Sequence, residues 1–358
     1  MKNCLSSIVG AAALAFVASG AQGQSIIYGL VDACVARSNI DGAHSTRVGS
    51  GCQSGSRLGF RGSENLGGGL TAGFQLENGF NVDDGSFGQG GRMFGRKAVL
   101  SLSSTTFGTI ELGRDYAPTF YALAPIDPTA FGIGTVSSTM WTGSNPTTVA
   151  RNDNAVNYIS PALGPVIVRV QYSFGEQPAP ASSGARSTLG FNMIYRSGAW
   201  LASLAHARHA NATDSAHDRA STAGLSYTIG GLILSGAFQA GRWEGSRTVA
   251  APSSATSIFS RHYRSYMLGA SYQVLPLLRA LVSIKHYDDR TARDFDAHQV
   301  TATAIYALSK RTDLYASYSW LKNVASSSYD ISDATTRYSG VRAGANTSLI
   351  AMGVRHVF

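Results

Sequence analysis

Along most of its length the chain alternates apolar and polar residues with a period of two, the pattern of strands that turn one face to oil or core and the other to water. In Gly69 to Gly79, Leu70, Ala72, Phe74 and Leu76 share one parity while Thr71, Gly73, Gln75 and Glu77 share the other. Ser56 to Ser63 repeats the pattern, with Leu58 and Phe60 opposite Arg57 and Arg61. What limits the fold most is how such segments are joined. Tight turns fall near 65–68, 105–108, 161–165, 197–198, 230–231, 274–277 and 309–312. Between them lie longer polar stretches near 36–54, 83–91, 115–149, 175–186, 209–219, 242–260, 288–296 and 323–345. Seven short and eight long connections separate sixteen strands, an even number that leaves both chain ends on the short-turn side.

The expected fold is therefore all-β: a 16-stranded antiparallel transmembrane β-barrel. Closing the last strand on the first removes both sheet edges, which matters in lipid because an unpaired backbone N–H or C=O there costs several kcal/mol. At this strand number side chains cannot fill the interior, so a water-filled lumen remains. Composition agrees. Forty glycines, only 14% charged residues and a mean hydropathy of −0.01 suit a wall one residue thick between lipid and water. The final strand shows the same alternation: Ile350, Met352, Val354, His356 and Phe358 share one parity, and terminal Phe358 is expected to close the barrel and sit in an interfacial aromatic girdle. His356, the polar member, reads as a tip at headgroup level.

Lys2, the apolar stretch Leu5 to Val17 and Ala21-Gln22-Gly23 before Gln24 have the layout of a cleavable export signal. Residues 1–23 are accordingly read as a signal peptide and 24–358 as one barrel domain. No apolar run approaches the roughly 20 residues of a membrane-spanning helix. Cys34 and Cys52 flank a polar, Gly-rich stretch and could close it as a disulfide in an oxidising compartment, or remain two thiols; strand register decides. No HExxH, GxSxG or Cys–His constellation is present, so the chain is not read as an enzyme. No cofactor or metal motif is found either. His206, His209 and His217 lie near one expected loop and read as solvated surface. The formal charge of +8 is dispersed and carried by no nucleic-acid motif, so no nucleic-acid partner is expected.

Several segments, in order, resemble the general porins of Gram-negative bacteria, specifically the β-proteobacterial branch. They are Gly55-Ser56-Arg57-Leu58-Gly59-Phe60-Arg61-Gly62-Ser63-Glu64 followed by Leu66-Gly67-Gly68-Gly69-Leu70, then Phe94-Gly95-Arg96, Leu112-Gly113-Arg114 and the ending Gly353-Val354-Arg355-His356-Val357-Phe358. The resemblance covers nearly the whole chain. It implies an outer-membrane homotrimer with one diffusion channel per subunit, in contact with outer-membrane lipid and lipopolysaccharide, carrying small hydrophilic solutes and ions. A substrate-specific channel is the alternative, but it would need a line of aromatics or a ladder of lysines along one wall, and neither occurs at suitable spacing.

The resemblance also identifies 115–149 as the family's third loop, which folds into the barrel. Its Pro118, Pro125, Pro128 and Pro146, with Tyr116, Phe120, Tyr121, Phe131 and Trp141, make it too apolar for a free surface loop. Transferred motif by motif, the wall arginines of the pore constriction fall on Arg57, Arg96 and Arg151, and the facing acid on Asp127. The Glu-Phe-Gly step of many relatives reads Ala130-Phe131-Gly132 here, removing one carboxylate. Three arginines against one aspartate imply a preference for anions. Arg57 has the wet parity of its strand. Arg96 shares parity with Ala98, Leu100 and Leu102, so either a bulge resets it or that strand faces a subunit interface. Arg61, Lys97 and Arg114 are further wall charges.

Overall fold

The computed structural model describes residues 24–134, 147–175, 184–244 and 262–358. The chain runs through β1 (Gln24–Ile40), β2 (Ala43–Ser50), β3 (Arg57–Gly67), β4 (Leu70–Gly79), β5 (Lys97–Ser104), β6 (Gly108–Tyr116) and β7 (Arg151–Ile159). It continues through β8 (Val166–Ser173), β9 (Thr188–Ser197), β10 (Trp200–Ala210), β11 (His217–Ile229), β12 (Leu232–Arg242) and β13 (His262–Leu275). Next come β14 (Leu278–Asp289), β15 (Ala297–Ala307), β16 (Thr312–Asn323), the small hairpin β17 (Ile331–Ser332) and β18 (Arg337–Tyr338), and finally β19 (Asn346–Val357). Each wall strand pairs antiparallel with its neighbours, and β19 pairs with both β16 and β1. Because β2 and β3 are two halves of one wall strand, both paired with β1, the wall is a closed 16-stranded antiparallel barrel.

The seven short connections fall at the turns read from the sequence. Along β15 the alternation is complete: Gln299, Thr301 and Thr303 are buried inward, while His298, Val300 and Tyr306 are exposed outward. The last strand follows the same rule, with Leu349 and Ala351 inside and Ile350, Met352 and Val354 outside. Phe358 closes the ring through paired backbone hydrogen bonds with Gly29, each 3.1 Å. Its ring lies where a Cβ on Gly29 would be, so glycine is needed at that contact.

One connection departs from the expectation. The stretch 36–54 is not a long loop: β1 runs on to Ile40, turns at Asp41-Gly42 and returns as β2. Asp41 and Gly42 have φ of 52° and 87°, the left-handed pair of a type I′ hairpin turn, for which Asp-Gly is well suited. The extra chain appears lower down. Ala33 faces Ser50 and Leu30 faces Arg57, so the six residues 51–56 stand opposite only Val31 and Asp32 and bulge from the wall.

Candidate functional site

The bulge is anchored on several sides. Asp32, fully buried, accepts the backbone N–H groups of Gln53 (3.1 Å) and Ser54 (2.7 Å) and the Tyr315 hydroxyl (2.5 Å). Cys52 is joined to Cys34 of β1 as a disulfide with Cα atoms 6.2 Å apart. Thr335, in the last long loop, donates its hydroxyl to Ser50 O at 2.5 Å. This frame fixes the next residue, Arg57, whose Nε donates to Gly55 O at 3.0 Å.

Arg96 and Arg151 come to the same place. Arg96 sits in a bend just before β5, so strand parity does not govern it; its backbone N–H donates to Glu77 O at 3.1 Å. The structure thus favours a local reset of register over an interface-facing strand. Arg96 Nε donates to Glu77 Oε1 at 2.6 Å, and its Nη2 donates to the Tyr116 hydroxyl at 2.8 Å. Arg151, opening β7, donates through Nε to Arg96 O (2.9 Å) and through Nη2 to the same hydroxyl (2.8 Å), with its guanidinium 4.3 Å from the Tyr116 ring centroid. A Cβ on Gly55 would sit 3.1 Å from Arg96 Nη1, which shows how near the bulge comes to this group. Tyr116 therefore holds two of the arginines, Arg57 stands within electrostatic reach of both, and Glu77 is their carboxylate.

Beside this group lies a more balanced one. Lys97 contacts Glu111 (3.3 Å) and Asp115 (3.1 Å), and Arg169 contacts Asp115 (3.4 Å) and Glu111 (3.8 Å). Tyr121 donates its hydroxyl to Asp115 at 2.9 Å and lies under the Arg169 guanidinium, 3.9 Å from its ring centroid. Burial, reinforced by the neighbouring Asp115, pushes the Tyr121 hydroxyl well above its ordinary range, so it remains a neutral donor. Arg61 stacks over Tyr28, whose hydroxyl donates to Glu77 at 3.0 Å. On this wall, β3 to β8, six cations (Arg57, Arg61, Arg96, Lys97, Arg151 and Arg169) meet three carboxylates, Glu77, Glu111 and Asp115. Arg114 pairs with Asp153, which also binds Arg92, and stands within electrostatic reach of Arg151.

The third loop covers the other wall. Pro118 starts a short helix, Pro118–Leu123, at a position where its missing N–H is harmless, and Pro125 follows the helix end. The loop then tracks along the inner wall: the Ser203 hydroxyl donates to Ala122 O at 2.7 Å, and Lys285 Nζ donates to Gly134 O at 3.0 Å. Gly224 and Gly269 mark its path, since a Cβ at either would lie 2.7 Å from Ile126 or 2.6 Å from Pro128. Phe120 stacks between Tyr116 and Phe131, with centroids 4.5 and 4.4 Å away. Trp141 and Pro146 lie outside the described residues.

Asp127 is where the geometry departs from the residue-by-residue transfer. Its side chain is 2% exposed and points into the wall, 3.5 Å from Lys285 Nζ, which is itself 1% exposed. Its Oδ1 accepts the Thr129 N–H and hydroxyl at 3.0 and 2.9 Å. Asp127 therefore pins the loop to β14 and does not face the arginines. Sequence reasoning missed Glu77, Tyr116 and Lys285. Glu77 could have been found by its wet parity on β4, and Lys285 by its place between outward Ile284 and His286. Among the described residues no group of His, Cys, Asp and Glu side chains could hold a metal ion.

A family description, Gram-negative porin, matches residues 10–326. Outer membrane porin protein 32 of Delftia acidovorans is 35% identical over 98% of this chain and 99% of its own length. The chain belongs to the Gram-negative porins. An outer membrane porin protein of Bordetella pertussis is 29% identical over 98% of this chain and 99% of its own. Among solved structures, an anion-selective porin from Comamonas acidovorans superposes with a TM-score of 0.79 at 32% identity, covering 94% of this chain and all of that one. OmpT of Vibrio cholerae shares the fold, with a TM-score of 0.66 at 15% identity over 94% of this chain and 99% of that one. This porin is thus an outer-membrane β-barrel whose function is passive diffusion through a water-filled channel.

Proposed function

We propose that this porin prefers anions and that Arg57, Arg96 and Arg151 form the selective part of its constriction. The carrying observation is the clustering of the three guanidinium groups, two of them bonded to Tyr116 and Arg57 within electrostatic reach of both, with Glu77 as the one carboxylate among them. A Debye length of about 8 Å in physiological salt means that such charges act on any ion crossing a constriction of comparable width. The name of the Comamonas acidovorans relative, an anion-selective porin, supports the same reading. The pore conducts and does no chemistry on its solutes. Porin family membership supports a homotrimer, one channel per subunit, checked by native mass spectrometry. Residues 1–23 act as the export signal, and mature protein from cells should begin at Gln24. The deciding experiment is the reversal potential of the pore in a planar bilayer under a potassium chloride gradient. The expected sign reports chloride as the more permeant ion; a cation-selective sign would overturn the proposal.

A further inference from the structure

The bulge also forms one wall of a recess that the charged cluster leaves unused. The other walls are the loop after β4 and the last long loop, and the volume enclosed is about 240 Å³. Phe80, Asn81, Phe87 and Gln89 line it from the loop, Ser56 from the bulge and Thr335 from the last loop, and none of the described lining residues is charged. A Cβ on Gly55 would lie 3.3 Å from Thr335 as well as 3.1 Å from Arg96 Nη1. The recess therefore opens beside the arginines, on the long-loop side, which is the external side of an outer-membrane barrel.

Its walls are fixed before any solute arrives. The Phe80 N–H donates to Ser56 O at 3.2 Å, tying the loop to the bulge, and Asn81 N–H donates to Ser86 O at 2.9 Å. Asp84 Oδ1 accepts the Ser86 N–H and hydroxyl at 2.9 and 2.6 Å, which closes the turn between them. Phe80 and Phe87 stand opposite each other in an antiparallel bridge, so their side chains leave the same face. Phe87 keeps 51% of its surface open. One polar group is unsatisfied: Gln89 Oε1 is buried where a Cβ on Gly79 would be and has no donor among the described residues. Rotation about the last bond of this side chain, which is soft, turns the carbonyl toward a ligand hydroxyl. Gly90, at φ 76° with open space where a Cβ would stand, lets a ligand approach the backbone. A preformed hollow with an aromatic platform and a few polar groups is the usual form of a small-molecule site. Here it suits an uncharged solute with one apolar face and several hydroxyls. The C–H face of a sugar ring is weakly positive and lies well on the negative face of an aromatic ring. Its hydroxyls match amides, which both donate and accept. A volume below the range of about 300–1,000 Å³ for drug-sized ligands limits the occupant to one ring.

We propose that this recess binds a neutral monosaccharide and holds it at the mouth of the channel, ahead of the arginines. Phe87 and Phe80 supply the platform, and Gln89 and Asn81 the hydrogen bonds. The test is saturation-transfer NMR on the full porin in a sugar-free detergent, wild type against the Phe87→Ala/Gln89→Ala variant. The probes are D-glucose, D-galactose and D-mannose, each alone, with sucrose and D-glucuronate for comparison. At least one hexose should bind the wild type with millimolar affinity, with saturation strongest at the C–H protons of one ring face. The variant should bind that hexose at least tenfold more weakly, and the wild type should bind sucrose at least tenfold more weakly than the hexose. Glucuronate, drawn by the arginines, should respond equally in both proteins. Binding of none of the three hexoses, equal hexose binding by both proteins, or an equal loss of glucuronate in the variant would each overturn the proposal. Should the variant fail to fold, Phe87→Trp enlarges the platform and should bind the hexose at least as tightly as the wild type; weaker binding there would overturn the proposal as well. The reversal potential of the variant should match that of the wild type whatever its sign, so the recess and the anion preference stand or fall separately.

Discussion

The two halves of the lumen wall are built from different chemistry. From β9 to β16 the inward residues under the third loop are mostly neutral: Ser203, Thr222, Gln239, Gln299, Thr301 and Ser319 are buried there, and among the described residues the loop is held by the ion pair of Lys285 with Asp127. From β3 to β8 the inward face carries six cations and three carboxylates beside neutral Asn152, Asn157 and Gln171, and these charges are tied into a network through three tyrosines. Both halves alternate with the same period, so the barrel does not require this asymmetry. The difference teaches that closing the barrel and placing the loop need shape and hydrogen bonds, whereas acting on ions needs unbalanced charge on the side the loop leaves open.

The largest effect should come from the anchoring half. Lys285→Met leaves Asp127 buried without its counter-charge, a loss of about 3–5 kcal/mol. The urea midpoint of the refolded porin should fall and single-channel conductance should rise as the loop loosens. Adding Asp127→Asn should recover much of the stability, since both buried charges are then gone. Next, Cys34→Ser with Cys52→Ser opens a link across 18 positions of sequence and should cost about 3 kcal/mol, read as a lower melting temperature on heated gels. On the charged half, Arg96→Gln or Arg151→Gln removes a charge worth about 1 kcal/mol to an ion at about 4 Å in water, so the chloride-to-potassium permeability ratio should fall about fivefold for each. Smallest is Thr301→Ala, which deletes a 2.9 Å hydrogen bond to Ser319; stability should change by about 1 kcal/mol and selectivity not at all.

The seven short turns, the strand number and the closing role of Phe358 were legible because each depends on local chemistry, turn residues or a period of two. The hairpin at Asp41-Gly42 was hidden by its polar flanks, although Asp-Gly itself was the signal. Arg57 could be placed from parity. Arg96 could not, because the bend before β5 is a tertiary feature in which its backbone binds Glu77. Asp127 was misplaced for a related reason. Its motif marks the loop, but which way the carboxylate turns depends on Lys285, 158 positions further along the chain and visible only once β14 lies under the loop.

The central claim, that ions pass along the β3 to β8 side while the loop seals the other, is tested most directly by thiol labelling during single-channel recording. Arg57→Cys and Thr301→Cys would each be exposed to a negatively charged methanethiosulfonate under steady current. Rapid block of the pore at position 57 with no change at position 301 is the predicted result. Block at 301, or equal response at both, would contradict it.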